Sequence, residues 1–169
     1  MLGAFLPSSR YLTRHLMSYV NWSATRVVVE YGPGVGTLTT EILRRLRPDG
    51  ILIAIERNPD FVRYMRENIK DKRLIVHEGS AEEVRDVLAA NGASEADCII
   101  SGIPYSVLPP HVRDNIMHNS REVLRSGGVF LVYQYTSAIL PHMRQIFGDI
   151  RTETEFRNIV PARIFCATV

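Results

Sequence analysis

A glycine-rich segment after residue 30 has the residue types and spacing best suited to binding a ligand. Glycines occupy every second position from Gly32 through Gly34 to Gly36, directly after the strand-like run that ends in Glu30. Because glycine has no Cβ, such a loop lets the backbone approach a ligand closely. Thr37 opens a stretch with apolar residues at helical spacing, and a helix N-terminus offers free N–H groups. The order of buried strand, glycine loop and helix therefore predicts a small-molecule site.

A second acidic residue supports the same site. Glu56 ends the apolar run 51–56 and lies 20 residues after Gly36. An acid at the end of a second strand can accept hydrogen bonds from ribose hydroxyls. The nicotinamide fingerprint G-x-G-x-x-G requires glycine where this chain has Thr37. The pattern acid-x-Gly-x-Gly-x-Gly is instead typical of class I S-adenosylmethionine (AdoMet) methyltransferases, which this chain resembles. That resemblance implies AdoMet as the cofactor, with its methionine part over the glycine loop.

The same resemblance extends the expected cofactor site to neighbouring strand ends. Many AdoMet enzymes carry an acid at the position of Ser80 that accepts from the adenine amino group. With serine there, the backbone groups of Ser80 and Ala81 are expected to bind adenine. The other residues expected at the cofactor are Ser9, Arg57, Ser101, Gly102 and Ile103.

The segment 101–105 follows the fourth predicted strand and is expected to face the methyl group, because ligands bind beyond the carboxyl ends of such strands. rRNA adenine dimethyltransferases, which the chain resembles in part, carry an Asn-[Ile/Leu]-Pro-[Tyr/Phe] run here. Aligned on Ile103, Pro104 and Tyr105, this chain has Gly102 in place of that Asn. Since glycine cannot orient an amine with a side chain, the segment favours a different acceptor.

A second family resembles nearly the whole chain. Bacterial phospholipid N-methyltransferases share the elements PSSR (7–10), VVEYGPGVGTLT (28–39), IERNPDF (55–61), SGIP (101–104) and RNIVPARIF (157–165). These enzymes convert phosphatidylethanolamine to phosphatidylcholine. The resemblance therefore implies N-methylation of a phosphatidylethanolamine headgroup at an anionic membrane surface. An RNA adenine N6-methyltransferase is the alternative, with nucleic acid the less favoured partner. A non-catalytic AdoMet- or lipid-binding module is the third hypothesis.

Amine methylation suggests four candidate catalytic residues. The displacement needs a neutral amine held in line, and a dry pocket beside a sulfonium disfavours the ammonium form. Tyrosine rings attract the sulfonium and the methylated ammonium by cation–π interaction, which makes Tyr19, Tyr105 and Tyr135 candidates. Tyr105 is expected to form an aromatic wall of the acceptor site. Arg157 is a candidate for a lipid phosphate, which guanidinium binds bidentately. The histidines lack metal-site spacing, so no metal is expected.

The elements that must position these residues alternate as strand and helix five times and end with two strands. This order predicts an α/β, Rossmann-like class I methyltransferase fold: a seven-stranded, mostly parallel sheet with a C-terminal antiparallel hairpin. The glycine-containing segment 126–128 is predicted to separate a helix from the fifth strand, 129–136. Residues 1–169 are expected to form one domain. Segment 1–22 is predicted to be a helix that covers the sheet edge, touches a membrane, or does both.

Composition sets the remaining limits. The 169 residues are 46% hydrophobic with a formal net charge of +2, which suits one well-packed domain and neither demands nor forbids an anionic partner. Cys98 and Cys166 lie in apolar runs and are interpreted as buried thiols. No apolar run approaches the roughly 18 residues of a membrane span. We expect a cytoplasmic monomer, with peripheral attachment to the inner membrane face as a further possibility.

Overall fold

The computed structural model describes residues 9–158 and 160–169, in which seven strands form one sheet. Most of the strands follow apolar, β-branched runs of the sequence, and one edge strand follows the polar run 150–155. They are β1 (Val27–Tyr31), β2 (Ile51–Glu56), β3 (Leu74–Glu78), β4 (Ala96–Ser101), β5 (Leu124–Gln134), β6 (Ile150–Glu155) and β7 (Ala162–Thr168). Their order is β3-β2-β1-β4-β5-β7-β6.

The sheet is parallel from β3 to β5, and β7 pairs antiparallel with both β5 and β6. The predicted Rossmann-like methyltransferase fold with a C-terminal antiparallel hairpin is therefore confirmed. The strand order reverses between β1 and β4, since the chain leaves β1 towards β2 and returns on the other side. In open α/β sheets, ligands bind beyond the carboxyl ends of the strands at such a switch point.

Helices cover both faces of the sheet. They are α1 (Arg10–Met17), α2 (Thr37–Arg45), α3 (Pro59–Asn68), α4 (Val84–Ala90), α5 (Pro110–Val123) and α6 (Leu140–Phe147). Because strand side chains alternate between faces, Val28 and Val29 enter different clusters. Val28 packs in a cluster that includes α1 and α2, and Val29 packs in one that includes α4, α5 and α6.

Strand β5 is longer than predicted. The segment 126–128 lies inside β5, whereas the sequence placed it before the strand. Gly127 has a φ of +75°, and the pairing of β4 with β5 shifts register there, from Ala96 opposite Leu124 to Cys98 opposite Val129. The glycines therefore form a bulge that the ladder spans, and they do not end an element.

Helix α1 is a cover helix. Its apolar face, with Leu12, Leu16 and Met17, is buried in the cluster shared with α2. That face is consequently occupied by the protein itself, and it is not available to a membrane in this conformation. Residues 1–8, the first part of the predicted helix, lie outside the described residues. Among those described, no helix is long and apolar enough to cross a membrane.

Candidate active site

A cavity of about 540 Å³ opens at the carboxyl ends of the parallel strands. The glycine loop after β1 lines it together with the segments that follow β2, β3, β4 and β5. It thus occupies the switch point between β1 and β4. Ten residues that the sequence assigned to the site line it: Gly32, Gly34, Thr37, Glu56, Arg57, Ser80, Ala81, Gly102, Ile103 and Tyr135.

The three glycines of the loop have different structural roles. All have positive φ, at +67° for Gly32, +58° for Gly34 and +82° for Gly36. A Cβ on Gly34 would meet no atom within 4 Å, so this glycine leaves open space beside the cavity. A Cβ on Gly36 would lie 2.5 Å from Ile69 Cδ1. Gly36 caps α2 and permits close packing against the end of α3, and it does not line the cavity.

Glu56 connects the second strand to the glycine loop. The Gly34 N–H donates to Glu56 Oε2 over 3.1 Å, and the Asn58 N–H donates to Oε1 over 2.9 Å. Glu56 and its neighbour Arg57 both line the cavity. The carboxylate is thereby fixed at the cavity wall with lone pairs remaining for a ligand.

Ser80 begins a short 3-10 turn in a capping box, as its spacing from Glu83 indicates. Its N–H donates to Glu83 Oε1 over 2.9 Å, and its carbonyl accepts from the Glu83 N–H over 3.0 Å. The Glu82 N–H donates to the Ser80 hydroxyl over 3.3 Å. Both backbone groups of Ser80 are therefore engaged within the protein, and the expected backbone contact with adenine falls to Ala81.

Glu30 is buried next to the loop and does not line the cavity. The Thr39 hydroxyl donates to its Oε2 over 2.6 Å, whereas its Oε1 has no hydrogen-bond partner. Burial, with a smaller contribution from the charge of Glu56, raises the pKa of Glu30 from 4.5 to about 7. Burial therefore favours the protonated form of this carboxyl group.

Tyr105 does not form the aromatic wall that the sequence suggested. A 3-10 turn at Tyr105–Val107 directs the ring into the core, where it is fully buried. Its hydroxyl is hydrogen-bonded to Ser101 Oγ at 2.8 Å, and burial raises its pKa. Neither Tyr105 nor Ser101 lines the cavity. Both therefore lie behind the segment 102–104 that lines the cavity.

The aromatic residue that lies against Gly102 in the cavity wall is Tyr133, which the sequence analysis missed. A Cβ built on Gly102 would lie only 2.8 Å from Tyr133 Cζ and closer still to the hydroxyl oxygen. The Tyr133 ring, from the end of β5, therefore fills the space that a side chain at position 102 would occupy. The side chain of the next residue, Gln134, donates from Nε2 to the Ile103 carbonyl over 2.8 Å and fixes the segment. Tyr135 lies at the cavity mouth, 38% exposed.

Two other candidates lie outside the cavity for clear reasons. Tyr19 stacks on His15 and, with Thr168, lines a groove near the start of β5, at the opposite edge of the sheet from the cavity. Arg151 lies over its ring at 5.1 Å. Ser9 caps α1, accepting from the Leu12 N–H over 3.2 Å. Neither position supports the assigned role at substrate or cofactor.

Arg157 lies at the carboxyl edge of the sheet but outside the cavity lining. Its guanidinium donates to both carboxylate oxygens of Glu155, over 2.9 and 3.0 Å, and lies 4.8 Å from the Tyr11 ring centroid. An arginine already paired in this way is poorly suited to be the main phosphate ligand. Among the described residues, no cluster of three or more His, Cys, Asp or Glu could hold a metal.

Comparison with known families identifies the class of protein. The family model described as "Methyltransferase small domain" matches residues 7–159. The chain belongs to this family, and the prediction of an AdoMet-dependent methyltransferase is confirmed. AdoMet is therefore the cofactor, as the resemblance implied.

One curated relative extends over almost the whole chain. An ornithine lipid N-methyltransferase from Singulisphaera acidiphila is 31% identical over 99% of this chain and 89% of its own length. A ribosomal RNA small subunit methyltransferase A from Nitrosospira multiformis is 32% identical, but over 58% of this chain and 39% of its own length. Among solved structures, an O-methyltransferase from Bacillus cereus in complex with SAH is similar in fold, with a TM-score of 0.76, 15% identity, and coverage of 95% of this chain and 82% of that one.

Proposed function

We propose that this protein transfers the methyl group of AdoMet to the primary amine of a membrane-lipid headgroup. The observation that supports this acceptor is the pairing of Gly102 with Tyr133. The side-chain amide by which rRNA adenine dimethyltransferases orient their planar target is absent at position 102, and the Tyr133 ring takes its space. An aromatic wall with one hydroxyl suits a flexible alkyl amine better than a planar base.

AdoMet would occupy the cavity with its methionine part against the open side of Gly34 and its ribose at Glu56. A carboxylate has about four lone-pair sites, so Glu56 can hold the loop and accept from ribose hydroxyls together. Thr37 lies at the start of α2, where the helix N-terminus favours a carboxylate. This arrangement would point the methyl group towards the acceptor segment after β4.

The acceptor amine would enter between Ile103 and the tyrosines at the end of β5. Its lone pair forms the new N–C bond while the C–S bond breaks, and the electron pair of that bond stays on sulfur. The methylated ammonium then releases a proton to solvent. The Tyr133 hydroxyl can accept a hydrogen bond from the incoming amine and hold its lone pair in line. Its ring face attracts the cationic product.

The acceptor class is drawn from the relative as well as from the cavity. The relative that covers most of the chain acts, by its name, on ornithine lipid, whereas the sequence suggested phosphatidylethanolamine. Both present a primary alkyl amine to the cavity, which is the chemistry that Tyr133 would recognise. Ornithine lipid is therefore the first acceptor to examine, and phosphatidylethanolamine, the precursor of phosphatidylcholine, is the second.

The direct test is incubation with methyl-labelled AdoMet and three acceptors in parallel. These are vesicles with ornithine lipid, vesicles with phosphatidylethanolamine, and 16S rRNA. We expect label in one or both amino lipids and none in RNA. Label confined to RNA would replace the proposal with adenine methylation, and its RNA binding should weaken steeply with added salt. A protein that binds AdoMet but labels none of the three would contradict the proposal.

A further inference from the structure

The surface around the cavity mouth collects most of the exposed apolar side chains of the protein. Six large apolar or aromatic residues are exposed among residues 9–158 and 160–169, and five of them lie in loops at the carboxyl edge of the sheet. These five are Val35, Val107, Tyr135, Phe156 and Val160. Phe156 is 76% exposed and Val107 is 68% exposed. We call the described residues of the six loops that hold them or adjoin them the mouth surface: 32–36, 57–58, 79–80, 102–109, 135–139, and 156–158 with 160–161.

The mouth surface carries no acidic residue. Its only charged residues are Arg57 and Arg157. The acids that adjoin it in sequence, Glu56, Glu78 and Glu155, are strand-end residues: Glu56 lines the cavity, Glu78 is exposed at the end of β3, and the Glu155 side chain is buried. By contrast, the loops 46–50, 69–73, 91–95 and 148–149 at the opposite edge each contain an aspartate or glutamate. The two edges of the sheet thus differ in both charge and apolar exposure.

The turn that carries Phe156 is fixed by hydrogen bonds. The Ser9 N–H donates to Asn158 Oδ1 over 3.2 Å, and Asn158 Nδ2 donates to the Val160 carbonyl over 2.8 Å. The Arg157 N–H donates to Glu155 Oε1 over 3.0 Å. The backbone therefore holds Phe156 outward, and no described residue packs against most of its ring. An apolar ring held in water by a rigid turn points to a partner that removes it from water.

We infer that the mouth surface is a docking surface for an anionic lipid bilayer. Valine and phenylalanine side chains would enter the interfacial region, and Arg57 would meet acidic headgroups, since Arg157 is already paired with Glu155. Because Val107 and Tyr135 also line the cavity, docking would place the cavity mouth directly on the membrane. A lipid amine could then reach AdoMet while its acyl chains stay in the bilayer. The access of a lipid amine to AdoMet rests on the proposed function. The docking of the mouth surface on a bilayer does not depend on that function.

A bilayer fits this surface better than a nucleic acid does. Three of the five exposed residues are the valines Val35, Val107 and Val160, which have neither a π-face for base stacking nor a hydrogen-bonding group. Single-stranded nucleic acid is held by stacked aromatics along a basic groove. Apolar burial with a small positive charge is the recognition expected of an interfacial membrane surface.

The test is flotation with vesicles of phosphatidylcholine and phosphatidylglycerol, neither of which has a primary amine to methylate. We compare wild type, Phe156→Ser, Val160→Ser and the matched control Tyr64→Ser. Tyr64 is 47% exposed on α3, outside the mouth surface. We expect Phe156→Ser to lower the vesicle partition coefficient by about tenfold, Val160→Ser to lower it less, and Tyr64→Ser to leave it unchanged. AdoMet affinity should be the same in all four proteins.

The results separate the surface from the proposed function. Docking is overturned if wild type does not float, if Phe156→Ser floats like wild type, or if Tyr64→Ser loses as much binding as Phe156→Ser. It is also overturned if an RNA oligonucleotide displaces wild type from the vesicles and binds Phe156→Ser less well. Flotation that depends on Phe156, without methyl transfer to any amino lipid, supports the surface and refutes the lipid acceptor. Methylation of detergent-dispersed amino lipid, without flotation that depends on Phe156, supports the lipid acceptor and refutes the docking surface.

Discussion

The buried carboxyl group of Glu30 should make the protein less stable as the pH rises through neutrality. Its pKa is about 7 in the folded protein against an ordinary value of 4.5, so the folded state holds a proton that the unfolded chain has released. The stabilising effect is therefore fully present below about pH 4.5 and is lost as the pH rises through about 7. At 1.36 kcal/mol per pKa unit, the shift corresponds to roughly 3 kcal/mol, as an upper value.

Glu30→Gln tests this effect with a neutral side chain of the same shape. The Gln oxygen can still accept from the Thr39 hydroxyl, which now donates to Glu30 over 2.6 Å. We expect the variant to match wild type near pH 4 and to exceed it near pH 8 by up to about 3 kcal/mol. Urea unfolding of the cofactor-free proteins across this range measures the difference. A difference that does not change with pH, or a less stable variant near pH 8, would refute the reasoning.

Three further predictions concern the cavity. Gly34→Ala should weaken AdoMet binding at least about tenfold in calorimetry. The control Gly92→Ala, at a glycine equally open and also at positive φ, should lose similar stability but no AdoMet affinity. Equal AdoMet affinities of the two variants would exclude Gly34 from the cofactor site. Glu56→Gln should weaken AdoMet by about 1–3 kcal/mol, the usual value for hydrogen bonds to a charged group, and unchanged binding would remove the ribose assignment. Tyr133→Phe should lower turnover about tenfold and leave AdoMet affinity within about threefold. Tyr135→Phe, at the exposed mouth, should change neither turnover nor AdoMet affinity. A loss of turnover in Tyr135→Phe and not in Tyr133→Phe would assign the amine contact to Tyr135.

The sheet was predictable because most of its strands contain short apolar runs followed by a loop signal, and the polar strand β6 has the alternation of a strand. The cofactor side was predictable for a related reason. Glu56 and Gly34 lie at strand ends, and in a parallel sheet the strand ends following β1 and β2 converge on one edge. The bulge at Gly127 was not predictable, because a glycine that ends a helix and a glycine inside a bulge have the same local pattern. Only the register between β4 and β5 distinguishes them.

The residues proposed for the acceptor side could not be derived from the sequence. The direction of each side chain decides whether it reaches the cavity, and the sequence does not show that direction. Tyr105 follows β4 directly, yet a single 3-10 turn sends its ring into the core. Tyr133 comes from a distant part of the chain and reaches Gly102 only because β5 pairs with β4. The packing role of Gly36 was likewise not predictable, because the Ile69 side chain that it contacts comes from another segment of the chain. The available sequence signal for Tyr133 was its place as an aromatic residue on a buried strand, two positions before Tyr135.

The central claim is that the cavity holding AdoMet delivers its methyl group to a lipid amine, and one measurement tests it most directly. Labelled AdoMet is incubated with vesicles of one amino lipid and wild type, Gly34→Ala or Gly92→Ala, and the labelled lipid is separated and its headgroup identified. We predict label on the headgroup amine with wild type and Gly92→Ala, and a loss of at least about tenfold with Gly34→Ala when AdoMet is below saturation. Absence of label with wild type, or equal labelling by Gly34→Ala, would contradict the account.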